Sequence, residues 1–271
     1  DVTYGGRIGL PGTSEIGVHV HGVGTFLNPP GARSCGFDPP DTASEPASVG
    51  IGTEWQLAPE PGMTLSVRHE VVAFGTSLAD AGLRLTLGVT NDATSTVDAR
   101  VGLRWQVDAK HAFDDGPVVA TARCEPPSLS LDRDTEHDFA PAELLDFLRV
   151  RNDETSPLFE ISAATAPIPG FPDMAIPERL VYGRWRSLRS APWGFGASEG
   201  ATGPGDDSAL LVEHGATPSR AALLRPGDGV TRSFVLLLSR DGVGCGAVRD
   251  GAATHASVTT CAGSCVRLRA D

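Results

Sequence analysis

Two histidines, His19 and His21, are separated by a single valine near the start of the chain. Because successive side chains alternate across a strand, both imidazoles would share one face, a geometry that zinc sites often use. A compact site would need a carboxylate a few residues later, whereas the next one is Asp38. Distant ligands such as His69 or Glu70 would have to complete it. We therefore favour an exposed or hydrogen-bonded pair over a metal site.

Three aspartates, Asp108, Asp114 and Asp115, cluster around a predicted loop. Hard cations take carboxylate and carbonyl oxygens from such turns, so the cluster suggests calcium. Its spacing does not match that of an EF-hand loop. In the alternative interpretation, one aspartate hydrogen-bonds the amides of the loop while the others remain in water.

Aromatic residues are scarce, yet Trp185 and Trp193 lie in one stretch, with Asp206 and Asp207 following. Sugar-binding surfaces stack rings against a ligand and place polar groups beside them. These four residues are therefore candidates for carbohydrate binding. Tryptophans on strands also serve as core or rim packing, and that alternative stays open.

Two glycine-rich segments imitate catalytic or cofactor motifs. Residues 196–200 spell G-x-S-x-G, but the glycines and proline that follow exclude the helix that a nucleophile elbow requires. Residues 242–246 imitate a dinucleotide-binding turn, but the third glycine falls one position early. We expect both segments to be loops, and the sequence offers no catalytic residues.

The net charge of −12 argues against binding to nucleic acid or to an anionic membrane, because a phosphate backbone would be repelled. The sequence contains no run of about 18 apolar residues, so no transmembrane helix is predicted. The chain opens at Asp1 without a methionine, as after removal of a signal peptide or trimming.

The five cysteines are compatible with disulfides in an oxidising compartment, which predicts a secreted or cell-surface protein. An odd number leaves one thiol free or paired with another chain. The alternative is that some are small buried hydrophobic residues. The disulfide candidates are Cys35, Cys124, Cys245, Cys261 and Cys265.

Alternation of apolar and polar residues is the clearest structural signal. In residues 97–108 every odd position is apolar and most even positions are polar, so one face should lie in the core and a charged face in water. Residues 83–89 repeat the pattern, and the small polar residues between the two segments favour a turn. The two segments therefore predict a long hairpin.

Further strands are predicted over residues 18–23, 65–74, 159–163, 180–188, 209–213 and 230–238. The continuous apolar run 234–238 suggests a strand covered on both faces. Residues 140–148 predict one short peripheral helix, with a proline near its start. The predicted fold is all-β, a large antiparallel sandwich over residues 1–240, followed by a cysteine-containing tail or appendage over 241–271.

Several short segments resemble a module of secreted and surface proteins of bacteria and archaea. The resemblance spans about residues 50–240 and rests on V-G-L-R at 101–104, Asp108, D-G at 115–116, Y-G-R-W at 182–185, Trp193, D-S-A at 207–209 and L-R-P-G at 224–227. It implies a large β-sandwich like the supersandwich of galactose mutarotases, and no assigned catalysis. The histidine and glutamate motifs of the mutarotase enzymes are not found.

These observations predict a non-catalytic extracellular structural or interaction protein, such as a surface, matrix or filament subunit or an adhesive module. Its partners would be other protein subunits, including copies of itself, or a surface polysaccharide. The first alternative is a carbohydrate-binding module that uses Trp185 and Trp193. The second is a sugar-active enzyme on a mutarotase-like scaffold, in which His19, His21, His69 or His111 would converge with a carboxylate in one pocket.

Overall fold

The computed structural model describes residues 2–4, 15–27, 50–74, 82–92, 96–111, 118–121, 129–130, 137–139, 147–152, 160–164, 173–184, 188, 193 and 208–239. Within these ranges the chain forms sixteen strands. They are β1 (Val2–Tyr4), β2 (Glu15–Val20), β3 (Gly24–Leu27), β4 (Gly50–Leu57), β5 (Leu65–Phe74), β6 (Gly82–Asn91), β7 (Ala99–His111), β8 (Val118–Thr121), β9 (Leu129–Ser130), β10 (His137–Phe139), β11 (Phe147–Asn152), β12 (Glu160–Ala164), β13 (Arg179–Arg184), β14 (Ser208–His214), β15 (Ala222–Leu224) and β16 (Gly229–Ser239).

The strands form two sheets of eight. The first sheet has the order β10-β13-β14-β7-β2-β3, and β1 and β15 also pair with β7. The second has the order β4-β5-β6-β16-β12-β11-β8-β9. All these pairs are antiparallel except that of β1 with β7. The prediction of a large antiparallel sandwich is confirmed.

One hydrophobic core lies between the sheets, because apolar residues from both belong to a single buried cluster. The odd-numbered residues of β7 and the even-numbered residues of β2 and β14 supply the side of the first sheet, as period-two alternation requires. Leu65, Leu87 and Phe234 are among the residues that the second sheet contributes. Phe234 and its neighbour Val235 are both buried, so β16 is covered on both faces there, as predicted.

The predicted hairpin of β6 and β7 is wrong. β6 pairs with β5 and β16 in the second sheet, whereas β7 is the central strand of the first. The connection therefore crosses from one sheet to the other, and both strands turn their apolar faces toward the shared core. Asn91 anchors this crossover, since its Nδ2 donates to the carbonyls of Val97 at 2.8 Å and Leu224 at 3.0 Å.

The prediction that residues 97–108 turn a charged face to water holds at Asp98 and Arg100, which are exposed, but is wrong farther along β7. Residues 101–107 are all buried, including Arg104 and Gln106 on the face away from the core. A strand at the centre of a sheet can carry charge on a covered face when the charge is paired there. This second buried face of the first sheet contains the candidate site.

The predicted helix over residues 140–148 is not supported where it can be compared. Phe147 and Leu148 begin β11 and pair with Ala164 and Ala163, because β-bridges to β8 and β12 override the local helical preference. Residues 140–146 lie outside the described ranges. Within those ranges no helix is long and apolar enough to cross a membrane.

The tail over residues 241–271 and all five cysteines lie outside the described residues. The disulfides, the secreted or cell-surface location and the division at residue 240 therefore stay predictions.

Candidate functional site

The candidate site lies on the outer face of the first sheet, where β2, β7 and β14 run side by side. The strand register places Arg104 of β7 between Gly17 of β2 and Glu213 of β14. Two residues before Arg104 on β7, Gly102 lies opposite His19 of β2. Residues directly opposite each other on neighbouring antiparallel strands share a face, so these groups project to the same side.

A buried ion network forms the base of the site. Arg104 Nε donates to Glu213 Oε1 at 2.8 Å, and Arg104 Nη2 bonds the same oxygen. Arg179 Nη1 of β13 lies 3.3 Å from the other oxygen, Oε2. The Glu213 side chain is 0% exposed, so both of its oxygens need these cationic partners to offset the loss of water. Glu213 is therefore a structural anion that holds two strands together.

Trp193 lies over this network and meets three side chains, of which the His21 ring is the farthest, edge to face at 6.5 Å between centroids. The His19 ring stacks on the indole at 4.7 Å between centroids with an interplanar angle of 6°. The Arg104 Cζ atom lies 5.0 Å from the indole centroid, within cation–π range. His21 meets the His19 ring edge to face at 4.5 Å. We call His19, His21, Arg104 and Trp193 the indole cluster.

The Gly215 carbonyl ties the cluster to the end of β14. It accepts a hydrogen bond from His21 Nε2 at 3.0 Å and another from Trp193 Nε1 at 3.2 Å. His19 is held separately, because its Nδ1 lies 2.8 Å from Thr25 Oγ1 of β3. Each ring of the cluster therefore has a fixed orientation.

Two glycines make the close approach of these groups feasible. A Cβ on Gly102 would collide with Trp193 Cζ2 and would stand 2.7 Å from the Gly215 carbonyl oxygen. Gly215 has a φ of +71°, a left-handed conformation that favours glycine. The indole therefore occupies the space that a side chain at position 102 would fill.

Burial, together with the neighbouring His21 and Arg104, lowers the pKa of His19 to about 4. The imidazole of His19 is consequently neutral at neutral pH. A neutral imidazole can accept a proton at one nitrogen and donate a hydrogen bond from the other. Two adjacent imidazoles on a rigid base are thus suited to acid–base chemistry.

The described residues bring only some of the predicted site residues into this cluster. Trp193 contacts His19 and His21. Each histidine also has a hydrogen-bond partner, Thr25 for His19 and the Gly215 carbonyl for His21. Among the described residues no three His, Cys, Asp or Glu side chains are grouped as metal ligands. Trp185, Asp206 and Asp207 lie outside the described ranges, so their part in ligand binding stays a prediction.

The calcium hypothesis likewise stays a prediction. Asp108 lies in β7, where only its backbone is described, and Asp114 and Asp115 lie outside the described ranges.

The convergence of histidines predicted for a sugar-active enzyme holds in part. His19 and His21 meet, whereas His69 lies on β5 in the other sheet, and its burial lowers its pKa to about 4. His111 ends β7 opposite Tyr4 of β1. The carboxylate of Glu213 reaches the cluster through Arg104.

Sequence reasoning missed Arg104, Glu213 and Gly215. Arg104 was assigned to a solvent face because a charge at an even position of an alternating strand normally lies in water. A signal was present for Arg104, since it lies between Leu103 and Trp105 near the middle of a long alternating segment. The pairing of Arg104 with Glu213 depends on the register of β7 with β14, which neither segment specifies alone.

Comparison with known proteins gives distant structural similarity. No protein-family model and no curated protein matches the chain. A galactose mutarotase related enzyme from Lactobacillus acidophilus matches at 9% identity and a TM-score of 0.41, over 70% of this chain and 68% of that one. A provisionally assigned aldose 1-epimerase from Escherichia coli K12 matches at 15% identity and a TM-score of 0.41, over 73% of this chain and 67% of that one.

A galactose mutarotase-like protein from Lactobacillus casei matches at 13% identity and a TM-score of 0.39, over 82% of this chain and 80% of that one. The names of these structures contradict the prediction of a non-catalytic structural or interaction protein, and with it the prediction that the chain is not an enzyme. The specific surface-protein module inferred from the short segments is not confirmed. Such distant similarity transfers no residue roles, so the function proposed below depends on the geometry of the indole cluster.

Proposed function

We propose that the chain is a sugar-active enzyme that interconverts the anomers of a free aldose, with the indole cluster as its active site. The observation that carries the proposal is the contact between the His19 and His21 rings beside the half-buried Trp193. The names of the three matched structures suggest which substrates to test first. The support comes from the arrangement of the side chains.

Anomer interconversion needs acid–base groups and no electron transfer. The proton leaves the anomeric hydroxyl and the bond from the anomeric carbon to the ring oxygen breaks. Its electron pair goes to the ring oxygen, which takes up a proton as the carbonyl forms. Rotation and reclosure on the other face give the second anomer. An imidazole within reach of both oxygens can take up the hydroxyl proton and deliver it to the ring oxygen, while the neighbouring neutral imidazole hydrogen-bonds the sugar.

The remaining groups of the cluster suit the recognition of a sugar. An aromatic ring packs against the C–H face of a pyranose, and nearby polar groups read its hydroxyls. The buried pairing of Arg104 with Glu213 fixes the strands beneath the rings, so the histidines are held before substrate arrives. Glu213 is itself held by two guanidinium groups, which leaves the proton transfers to the histidines.

The proposal is tested by following the anomers of freshly dissolved glucose, galactose and other aldoses by polarimetry and by proton NMR exchange. We expect the protein to accelerate the equilibration of at least one aldose. The double variant His19→Gln with His21→Gln should lose this acceleration by about 10²-fold or more, because removal of general acid–base groups costs that much.

The matched control is Glu54→Gln, a charge removal at an exposed position on the second sheet, which should leave the rate unchanged. Trp193→Ala should raise KM, since the indole supports the rings. A protein that accelerates no aldose, or a double histidine variant as active as the parent, would contradict the proposal. Sugar binding without turnover would identify the cluster as a binding site alone.

A further inference from the structure

The two histidines of the cluster are held by different kinds of partner, and this difference fixes their chemistry. His21 Nε2 lies 3.0 Å from the carbonyl oxygen of Gly215. A carbonyl oxygen has no proton, so Nε2 must carry the hydrogen and donate it. In neutral His21 the lone pair is therefore on Nδ1.

The Gly215 carbonyl is held in place from both sides. Its oxygen also accepts from Trp193 Nε1 at 3.2 Å, and it stands 2.7 Å from the point where a Cβ on Gly102 would lie. A Cβ on Gly215 itself would stand 2.9 Å from Gly102 Cα and 3.1 Å from Ala221 Cα. The acceptor therefore cannot move away from His21 without disturbing the packing of β14 on β7.

Because Nε2 is committed to the Gly215 carbonyl, Nδ1 is the ring nitrogen of neutral His21 that can accept a proton. Fixing one ring nitrogen so that the other can take a proton is the arrangement that orients a catalytic histidine. His19 lacks such a partner, since the hydroxyl of Thr25 can either donate to its Nδ1 or accept from it.

Titratable and charged groups surround His21 on several elements of the described part of the chain. The His19 ring of β2 contacts it, the Arg100 carbonyl of β7 accepts from its backbone N–H, and Arg104 of β7 pairs with Glu213. Arg100 Nη1 donates to the Pro218 carbonyl, and Glu178 Oε2 accepts from the Ala216 N–H beside Gly215. His21 and Arg104 add to the effect of burial in lowering the pKa of His19.

We propose that His21 is the proton acceptor of the site, acting through Nδ1 in a tautomer fixed by the Gly215 carbonyl, while His19 stays neutral throughout. This role rests on the proposed function for its substrate, a sugar hydroxyl. In the forward step the O–H bond of that hydroxyl breaks, its electron pair stays on oxygen and an N–H bond forms at Nδ1. The reverse transfer restores the neutral imidazole and a hydroxyl.

The tautomer is tested directly by NMR of protein labelled with ¹⁵N-histidine, which distinguishes a protonated from an unprotonated ring nitrogen. At neutral pH we expect His21 to show a hydrogen on Nε2 and none on Nδ1. On acidification Nδ1 of His21 should take up a proton before either nitrogen of His19 does. A hydrogen on Nδ1 of neutral His21, or protonation of His19 first, would overturn the proposal.

Substitutions at the two histidines test whether the Nδ1 acceptor of His21, rather than its Nε2–H donor, is needed for turnover. Gln at position 21 places an amide N–H near the position of Nε2, so His21→Gln can keep the bond to Gly215 while removing the proton acceptor. We expect this variant to keep its fold and its sugar affinity, to lose about 10²-fold or more in kcat, and to lose the acidic limb of the kcat profile. His19→Gln should lower kcat less and leave that limb in place.

A His21→Gln variant with the parent's kcat and pH profile would overturn the assignment even if the enzyme acts on sugars. If the parent protein turns over no sugar, the proposed function fails, but the NMR titration still decides which histidine carries the proton. Asn at position 21 checks the fold, because its shorter amide cannot reach Gly215. Greater loss of stability in His21→Asn than in His21→Gln is expected.

Discussion

Gly102 and Gly215 pack against each other with no room for a side chain on either. A Cβ on Gly215 would stand 2.9 Å from Gly102 Cα, and a Cβ on Gly102 would overlap the indole of Trp193. This contact joins β7 to the end of β14 and brings one carbonyl within reach of two N–H donors. The packing of these two glycines therefore positions the carbonyl that orients the side chains of His21 and Trp193.

Gly102→Ala should displace Trp193 and destabilise the protein by about 1–3 kcal/mol, the usual cost of overpacking a filled site. Urea unfolding curves of Gly102→Ala, Trp193→Ala and the double variant measure this. Because the indole is one of three obstructions, beside the carbonyl oxygens of Gly215 and His214, the alanine should cost less in the Trp193→Ala background. Equal costs in both backgrounds would show that the indole does not occupy the space above Gly102.

Glu213→Gln should destabilise the protein by about 3–5 kcal/mol, because it removes the buried anion that pairs with the buried Arg104 and the partly buried Arg179. Glu54→Gln is the matched control: it breaks an ion pair whose side chains are 64% and 74% exposed, which is worth about 0–1 kcal/mol. The free energies of unfolding from denaturant titration give the comparison. Similar losses in the two variants would contradict the structural role assigned to Glu213.

Asn91→Asp should be more damaging than Asn91→Ala at pH 7, although it preserves the shape of the side chain. Asn91 is fully buried and donates to the carbonyls of Val97 and Leu224. A carboxylate in its place has no N–H and repels both oxygens, whereas alanine leaves the carbonyls unpaired at about 1–3 kcal/mol each.

Thermal unfolding at pH 7 and pH 4 measures this effect. The difference in stability from the parent at the same pH should be smaller at pH 4 than at pH 7 for the aspartate variant, because its carboxyl is then protonated. For the alanine variant this difference should not shrink. Thr90→Ala, a change at the exposed neighbouring position, is the control. An aspartate variant as stable as the parent at pH 7 would rule out Asn91 as the anchor of the crossover.

The stability of the fold should fall as the pH drops from about 6.5 toward 4. Burial lowers the pKa of His214 to about 3, with Arg232 acting in the same direction, and burial lowers the pKa of His69 to about 4. The unfolded chain therefore binds protons in this range that the folded chain does not. The stabilisation is present above about pH 6.5 and is lost on acidification, on the order of 2–3 kcal/mol for each buried histidine by pH 4.

Urea unfolding at a series of pH values between 6.5 and 5, where most carboxylates are still ionised, measures the slope. His69→Leu removes one of the titrating groups, so its stability should depend less steeply on pH than that of the parent. Stability that rises on acidification over this interval would contradict the direction of these pKa shifts.

The alternation of residues in the sequence predicted the strands well. β5 has the predicted bounds, β6, β14 and β16 contain the predicted segments, and β7 begins two residues after the start of its predicted segment. Alternation reports which face of a strand is apolar, and this is a local property. It does not report which strand lies alongside, so two adjacent alternating segments read as a hairpin although they belong to different sheets.

The candidate site was predicted in fragments, as a histidine pair on one strand and a tryptophan in a distant loop. The sequence determined the chemistry of each group: two imidazoles on one face, an indole, and glycines where no side chain fits. The tertiary structure decided that these groups meet, and that Arg104 is buried against Glu213. The physical reason is that burial of a charge depends on a partner 109 positions away in the chain, which only the register of β7 with β14 brings into contact.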